Sequence, residues 1–77
     1  MPKYYFTLLD REGYAASEVA YEFHDNDAAK NEALKILSEM ASDVLPSPPM
    51  NMISVEVFDE DRRPIVETRL VLDVLPK

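Results

Sequence analysis

Apolar and polar residues alternate in four short stretches of the chain. These stretches read YYFTLL, EVAYEF, MISVEVF and IVETRL, at residues 4–9, 18–23, 52–58 and 65–70. Alternation rich in aromatic and β-branched side chains is typical of β-strands. Gly13 closes the segment DREG, which predicts a tight turn with this glycine at positive φ. We therefore expect two hairpins, over residues 3–23 and 52–71.

Between the hairpins the apolar period lengthens to that of an α-helix. Through residues 26–45, apolar side chains recur at spacings of three and four, and charged residues occupy the opposite side. Asp25 precedes this segment, where a carboxylate can accept hydrogen bonds from the free amides of the first turn, so it is the predicted N-cap. Pro46 disfavours helical backbone in the residue before it, and we expect the helix to end near Leu45.

The order β-β-α-β-β predicts a single α+β domain over residues 1–77. An antiparallel four-stranded sheet with the helix packed on one face would form a two-layer sandwich. A Pro-rich loop, residues 46–51, precedes the second hairpin, and the apolar tail, residues 72–77, is expected to dock on its own chain or on a neighbour's. Surface scaling gives roughly 4,800 Å² of exposed area for a folded monomer of this mass, so the core is small.

The charge balance excludes one class of partner. Fifteen Asp and Glu against eight Lys and Arg give a net charge of −7, and the basic residues are scattered along the chain. Nucleic acid would be repelled, so we expect no nucleic-acid partner. The apolar run Tyr4–Leu9 is too short for a signal peptide or a membrane span, which predicts a soluble cytoplasmic protein with no membrane partner.

The aromatic run Tyr4, Tyr5 and Phe6 has two interpretations: a base-stacking platform, as on RNA-binding sheets, or core packing. Alternation places Tyr4 and Phe6 on one face together with Leu8, which favours the core. The face without a helix receives apolar residues among charged ones, and our candidate interface residues there are Tyr5, Leu9, Phe58 and Ile65. A contiguous apolar patch would mark an association surface, and a mixed, solvated face is the alternative.

The residue types that carry catalysis or bind metals are sparse. The chain has no cysteine, and His24 is the only histidine, with no partner at the spacing of a triad or a metal site. Residues 25–27 and 59–61 are acidic but lack the calcium-loop pattern, and a single glycine excludes a Gly-rich phosphate loop. We predict no catalytic, cofactor-binding or metal residues. A small enzyme or ligand carrier would need a pocket lined by Tyr14, Tyr21 or His24.

The segments MPKYYFTLLDREG, FHDNDAAKNEAL and ISVEVFDEDRRP together resemble a known family. It comprises small uncharacterised bacterial domains of unknown function, best known from rhizobia and related alphaproteobacteria. The resemblance spans nearly the whole chain, supports the predicted fold and implies no activity. The family commonly has a glycine in the late turn where this chain has Arg62. A left-handed arginine would cost about 1 kcal/mol, so we expect a longer turn here.

These observations favour a non-catalytic protein-interaction module that self-associates, most simply as a homodimer. The alternative is an acidic, antitoxin-like or inhibitor partner of a basic protein. The net charge suggests it, and the opening strand, Gly-containing turn, second strand and EAL helix are similar in layout to HicB-type antitoxins. Either function requires another protein chain as the partner and no cofactor.

Overall fold

A computed structural model of the chain describes residues 1–10, 12–17, 19–48 and 51–77. In this part the elements are, in order, β1 (Lys3–Asp10), β2 (Gly13–Ala16), β3 (Tyr21–Glu22), α1 (Asn26–Asp43), β4 (Met52–Phe58) and β5 (Pro64–Val71). The strands form one antiparallel sheet, and the helix packs against it. The predicted α+β fold is confirmed, with five described strands in place of four.

The sheet places β1 and β4 in its interior. Its order is β2-β1-β4-β5, and β3 pairs with the other end of β1. Phe6 lies opposite Val57 and Leu8 opposite Val55, while Thr68 of β5 lies opposite Val55 on the other side. The helix contacts β4 and β5 and lies over them. Within the described residues, β5 is therefore the last strand of the sheet on that side.

The core fills the space between the sheet and α1. Ala29 and Ala33 are fully buried on the helix, and their small side chains let the helix approach the sheet closely. The larger buried side chains of this cluster are Tyr4, Phe6, Leu37, Ile53, Val55 and Val57. The core interpretation of Tyr4 and Phe6 is confirmed, since these rings also pack against Phe23 at centroid distances of 6.0 and 5.9 Å.

The N-terminal end of α1 is fixed by two side chains. Asp25 caps the helix as predicted, because its Oδ1 accepts a hydrogen bond of 2.8 Å from the backbone N–H of Ala28. The Tyr4 hydroxyl donates to Asn26 Oδ1 at 2.8 Å and ties the first turn to β1. Burial, together with nearby carboxylates, raises the pKa of Tyr4, so this hydroxyl keeps its proton and remains a donor.

The helix ends at Asp43, earlier than the predicted Leu45. Val44 is extended, with φ −145° and ψ 116°, and its N–H donates to the carbonyl of Met40. Pro46 is buried, and it lines the same groove as Met40 and Ile53. The extended backbone of Val44 therefore ends the helix two residues before the predicted position. Part of the Pro-rich loop, residues 49 and 50, lies outside the described residues.

The sequence predicted that the second strand of the first hairpin would be one continuous strand over residues 18–23. The structure has two short strands, β2 and β3, in its place. β2 begins directly at Gly13, and β3 is a separate pair of residues in which Tyr21 lies opposite Tyr4. Ser17 interrupts the ladder: its N–H donates to the Phe6 carbonyl at 2.8 Å, and its hydroxyl accepts from the Phe6 N–H at 2.9 Å. A side chain thus takes the place of a backbone acceptor. Glu18 lies outside the described residues.

The second hairpin contains a tight turn and a bulge. The Arg62 N–H donates to the Asp59 carbonyl at 3.0 Å, and the Asp59 N–H donates to the Arg63 carbonyl at 2.9 Å. Arg62 itself adopts the left-handed conformation, with φ 65°, which corrects our expectation that the turn would lengthen to avoid it. Val57 pairs with Val66 but Phe58 with Pro64, so Ile65 is the additional residue of a β-bulge.

Candidate functional site

The sheet face opposite α1 carries the residues that alternate with the core positions. Across β1, β4 and β5 they form two adjacent rows, Thr7–Glu56–Glu67 and Leu9–Ser54–Arg69. Tyr14 of β2 lies beside Leu9, and its side chain is largely exposed. Polar and charged groups therefore occupy the middle of this face.

Glu67 and Arg69 form the best-defined ion pair of this face. The Arg69 Nε donates to Glu67 Oε2 at 2.9 Å, and Nη2 donates to Oε1 at 3.2 Å, so the contact is bidentate. The hydrogen bond from Arg69 holds the pKa of Glu67 below its ordinary value, and the same bond raises the pKa of Arg69. Both side chains are charged at neutral pH and lie side by side on the outer strand.

A second interaction on this face joins a turn to β1. The guanidinium carbon of Arg62 lies 3.6 Å from the centroid of the Tyr5 ring, which is a cation–π contact. Arg62 has a left-handed backbone, and its side chain lies over the Tyr5 ring. The Tyr5 ring is therefore half-buried beneath a charged group.

The four candidate interface residues are less accessible than their alternation suggested. Leu9 is buried at 9% exposure, and Tyr5 and Phe58 are half-buried. Ile65, displaced by the bulge, is half-buried and packs against the core cluster. These side chains present little apolar area, so this face is mixed in character.

Exposed apolar side chains are concentrated instead at the end of β5 and in the tail. Val74 and Leu75 are 77% and 70% exposed, and the full run comprises Leu70, Val71, Leu72, Val74 and Leu75. The sequence indicated an apolar tail, but it did not show that the exposed apolar run begins within β5. That depends on β5 lying at the sheet edge, which alternation alone does not reveal.

Two grooves lie between α1 and β1. One, of about 280 Å³, is lined by Met40 and Pro46 and by Asp10 at the end of β1. The other, of about 270 Å³, is lined mainly by apolar side chains, including Phe6 and Ile36. Both grooves therefore offer shape and apolar contact.

The residues that a ligand carrier would bring together are separated. Tyr21 lines the second of these grooves, His24 lies beside Asp25 in a shallow depression, and Tyr14 is on the opposite sheet face. The acidic segments have local structural roles, because Asp59 Oδ1 accepts from the N–H groups of Asp61 and Arg63. Within the described ranges, no group of three or more potential ligands could hold a metal ion. In the same ranges, no helix is long and apolar enough to cross a membrane.

This geometry defines a fold and its accessible surfaces. A family model described as a domain of unknown function, DUF6894, matches residues 3–71. The chain belongs to this family. The DUF6894 match runs from the first residue of β1 to the last residue of β5, so the apolar tail lies beyond it. No curated protein and no solved structure matches the chain.

Proposed function

We propose that this DUF6894 chain is a non-catalytic protein-interaction module that self-associates. The observation that carries the proposal is the exposed apolar run that begins at Leu70 and Val71 on β5 and continues to Leu75. Single exposed apolar residues are ordinary, whereas a contiguous run beside a strand edge favours association.

The total exposed area supports the same function. The chain exposes 5519 Å². Surface scaling gives roughly 4,800 Å² for a folded monomer of this mass, so the excess is about 700 Å². A stable interface removes about 800 Å² from each partner. Association of two copies would therefore bring the exposed area per chain close to the value for a compact protein.

The modest core gives association a role in stability. The largest completely buried side chains are those of Val55 and Val57, and α1 contributes two alanines to the centre of the core. A domain of this size is marginally stable on its own. Contacts made only between folded copies shift the folding equilibrium toward the folded state.

Light scattering on a size-exclusion column, over a roughly hundredfold concentration range, tests self-association. We expect a mass of twice 8.8 kDa that falls toward 8.8 kDa only on strong dilution. Val71→Lys places a charge on the exposed apolar run and should shift the protein toward the monomer. Val19→Lys, at an exposed position in the opposite half of the fold, is the matched control. A mass of 8.8 kDa at every concentration would contradict the proposal.

The net charge of −7 supports a second function, an acidic antitoxin-like or inhibitor partner of a basic protein. Such a complex would be driven by opposite charges and would weaken as salt screens them. Capture of partners on the immobilised chain at low and at high salt tests this function. A basic protein retained at low salt and released at high salt would favour it. Recovery of the chain itself at both salt concentrations would favour self-association.

A further inference from the structure

The outer strand β5 has a sequence that is complementary to itself. Residues 65–71 read IVETRLV, with Thr68 at the centre. Glu67 and Arg69 lie one residue to either side of Thr68 and carry opposite charges. Two apolar residues follow at each end. When two copies of this segment are aligned antiparallel about Thr68, each charged residue therefore lies opposite one of opposite charge, and each apolar residue lies opposite an apolar residue.

The backbone of β5 is oriented to pair along this same segment. The Leu72 N–H donates to the Asn51 carbonyl at 2.8 Å, and the pairing with β4 keeps one register from Val71 to Val66. Because antiparallel strands alternate hydrogen-bonded and non-hydrogen-bonded pairs, residues 66, 68, 70 and 72 direct their backbone groups toward β4. Glu67, Arg69 and Val71 direct theirs away from the described sheet, where β5 pairs only with β4.

Among the registers centred on residues 67, 68 and 69, only one places opposite charges opposite each other. Antiparallel pairing of two copies joins outward residues to outward residues, which puts the two-fold axis at a residue. An axis at Thr68 sets Glu67 opposite Arg69 of the second copy, and symmetry repeats this pair. An axis at Glu67 would oppose two glutamates, and an axis at Arg69 two arginines. Like charges directly opposite each other are destabilising.

We propose that two copies of this chain associate by pairing β5 antiparallel to β5 about a two-fold axis at Thr68, which joins the two sheets into one. This inference rests on the proposed self-association and specifies its surface. Glu67 and Arg69 are both exposed in the single chain.

The same axis brings the two helices together. Strands lie about 4.8 Å apart, so a helix over β4 and β5 lies about 5 Å from an axis just outside β5. The two helices would then be about 10 Å apart, which is a normal packing distance. Ile36 lines the groove over β1, and Leu34 lies roughly 200° around the helix from it, on the flank toward β5. Leu34, exposed at 45%, would face the helix of the second copy.

Two opposite charge reversals test this register. Glu67→Arg gives a strand with two positive charges, and Arg69→Glu gives one with two negative charges. Each variant alone places like charges opposite each other twice, and we expect the dimer dissociation constant to rise about tenfold or more. Mixed together, they restore both opposite-charge pairs between chains, and a heterodimer should form. The ion pair within each chain stays broken, so repair of that pair cannot explain the recovery.

Lys35→Glu and Glu39→Arg are the matched controls, since they make the same charge changes at exposed helix positions. Light scattering and sedimentation of each variant and of the mixture are the readouts. If the controls split the dimer as strongly, or if mixing restores nothing, the register is wrong. If the unaltered protein is a dimer and neither charge reversal changes its dissociation constant, the β5 register is contradicted but self-association is not. A monomeric unaltered protein would contradict both.

Discussion

The two edges of the sheet differ in continuity. One edge is shared by β2 and β3, of four and two residues, while the other is β5, a single strand of eight residues. A long regular edge presents backbone groups to any other strand, and proteins commonly prevent such pairing by shortening or bending the edge. The β2–β3 edge follows that rule. The β5 edge is regular from Val66 onward, which favours its use for pairing.

The turns of the two hairpins also differ, although each turn begins with an aspartate. Asp10 Oδ1 accepts from the Glu12 N–H at 2.8 Å, and Asp59 Oδ1 accepts from the Asp61 N–H at 2.9 Å. The first turn then places Gly13 at φ 110°, and the second places Arg62 at φ 65°. Glycine adopts positive φ without strain, whereas the arginine is strained but covers Tyr5. Each turn therefore contains a residue at positive φ, which is an unstrained glycine in the first turn and a strained arginine in the second.

The interruption of the first edge depends on one hydroxyl. Ser17→Ala removes the acceptor for the Phe6 N–H, and an unsatisfied, partly buried donor should destabilise the fold by about 2 kcal/mol. The melting temperature should fall by about 10 °C. Ser38→Ala, at an exposed helix position, is the control and should change it little. Equal melting curves for the two variants would show that the hydroxyl does not hold this edge.

The first turn depends on glycine. Gly13→Ala meets no atom within 4 Å, so its effect comes from backbone strain at φ 110° and not from a clash. We expect a loss of about 1 to 2 kcal/mol in the free energy of unfolding, measured by urea denaturation. An unchanged midpoint would mean that the turn relaxes to a conformation that alanine tolerates.

The second turn balances strain against a contact. Arg62→Ala keeps the left-handed backbone but loses the cation–π contact, while Arg62→Gly loses the contact and relieves the strain. We expect the glycine variant to be more stable than the alanine variant by about 1 kcal/mol, measured by urea denaturation. If alanine were the more stable of the two, the left-handed conformation at this position would not be the source of strain.

The smallest effect concerns the charge of β5. Arg69 lowers the pKa of Glu67. The Glu67–Arg69 pair therefore contributes to stability above the pKa that Glu67 has in the unfolded chain. This contribution disappears as the pH falls through the lower pKa that Glu67 has in the folded chain. NMR titration of the Glu67 carboxyl should show this lowered pKa, and Arg69→Leu should return it toward the ordinary value. Lys35→Leu is the control that should leave it unchanged. If the pKa of Glu67 were the same in the Arg69→Leu variant as in the unaltered protein, the bidentate contact between Glu67 and Arg69 would be contradicted.

Local periodicity and capping chemistry were sufficient to predict much of the fold. They identified α1, the Asp25 cap and the alternation of β4, because each depends on neighbours in the sequence. The break at Ser17 was missed because a hydroxyl replacing a carbonyl leaves no periodic pattern. Ile65 was assigned to the open face because alternation does not reveal a bulge. The exposed surface of β5 depends on strand order, which only the folded sheet defines.

Amide hydrogen exchange, followed residue by residue by NMR at high and low protein concentration, distinguishes the two edges. If β5 pairs with β5 of a second copy, the amides of Glu67, Arg69 and Val71 should exchange slowly at high concentration and rapidly on dilution. Thr68 and Leu70, already bonded to β4, should be protected in both conditions, and the amides of Gly13–Ala16 should not depend on concentration. Rapid exchange at Glu67, Arg69 and Val71 in a sample shown to be dimeric would contradict pairing through β5.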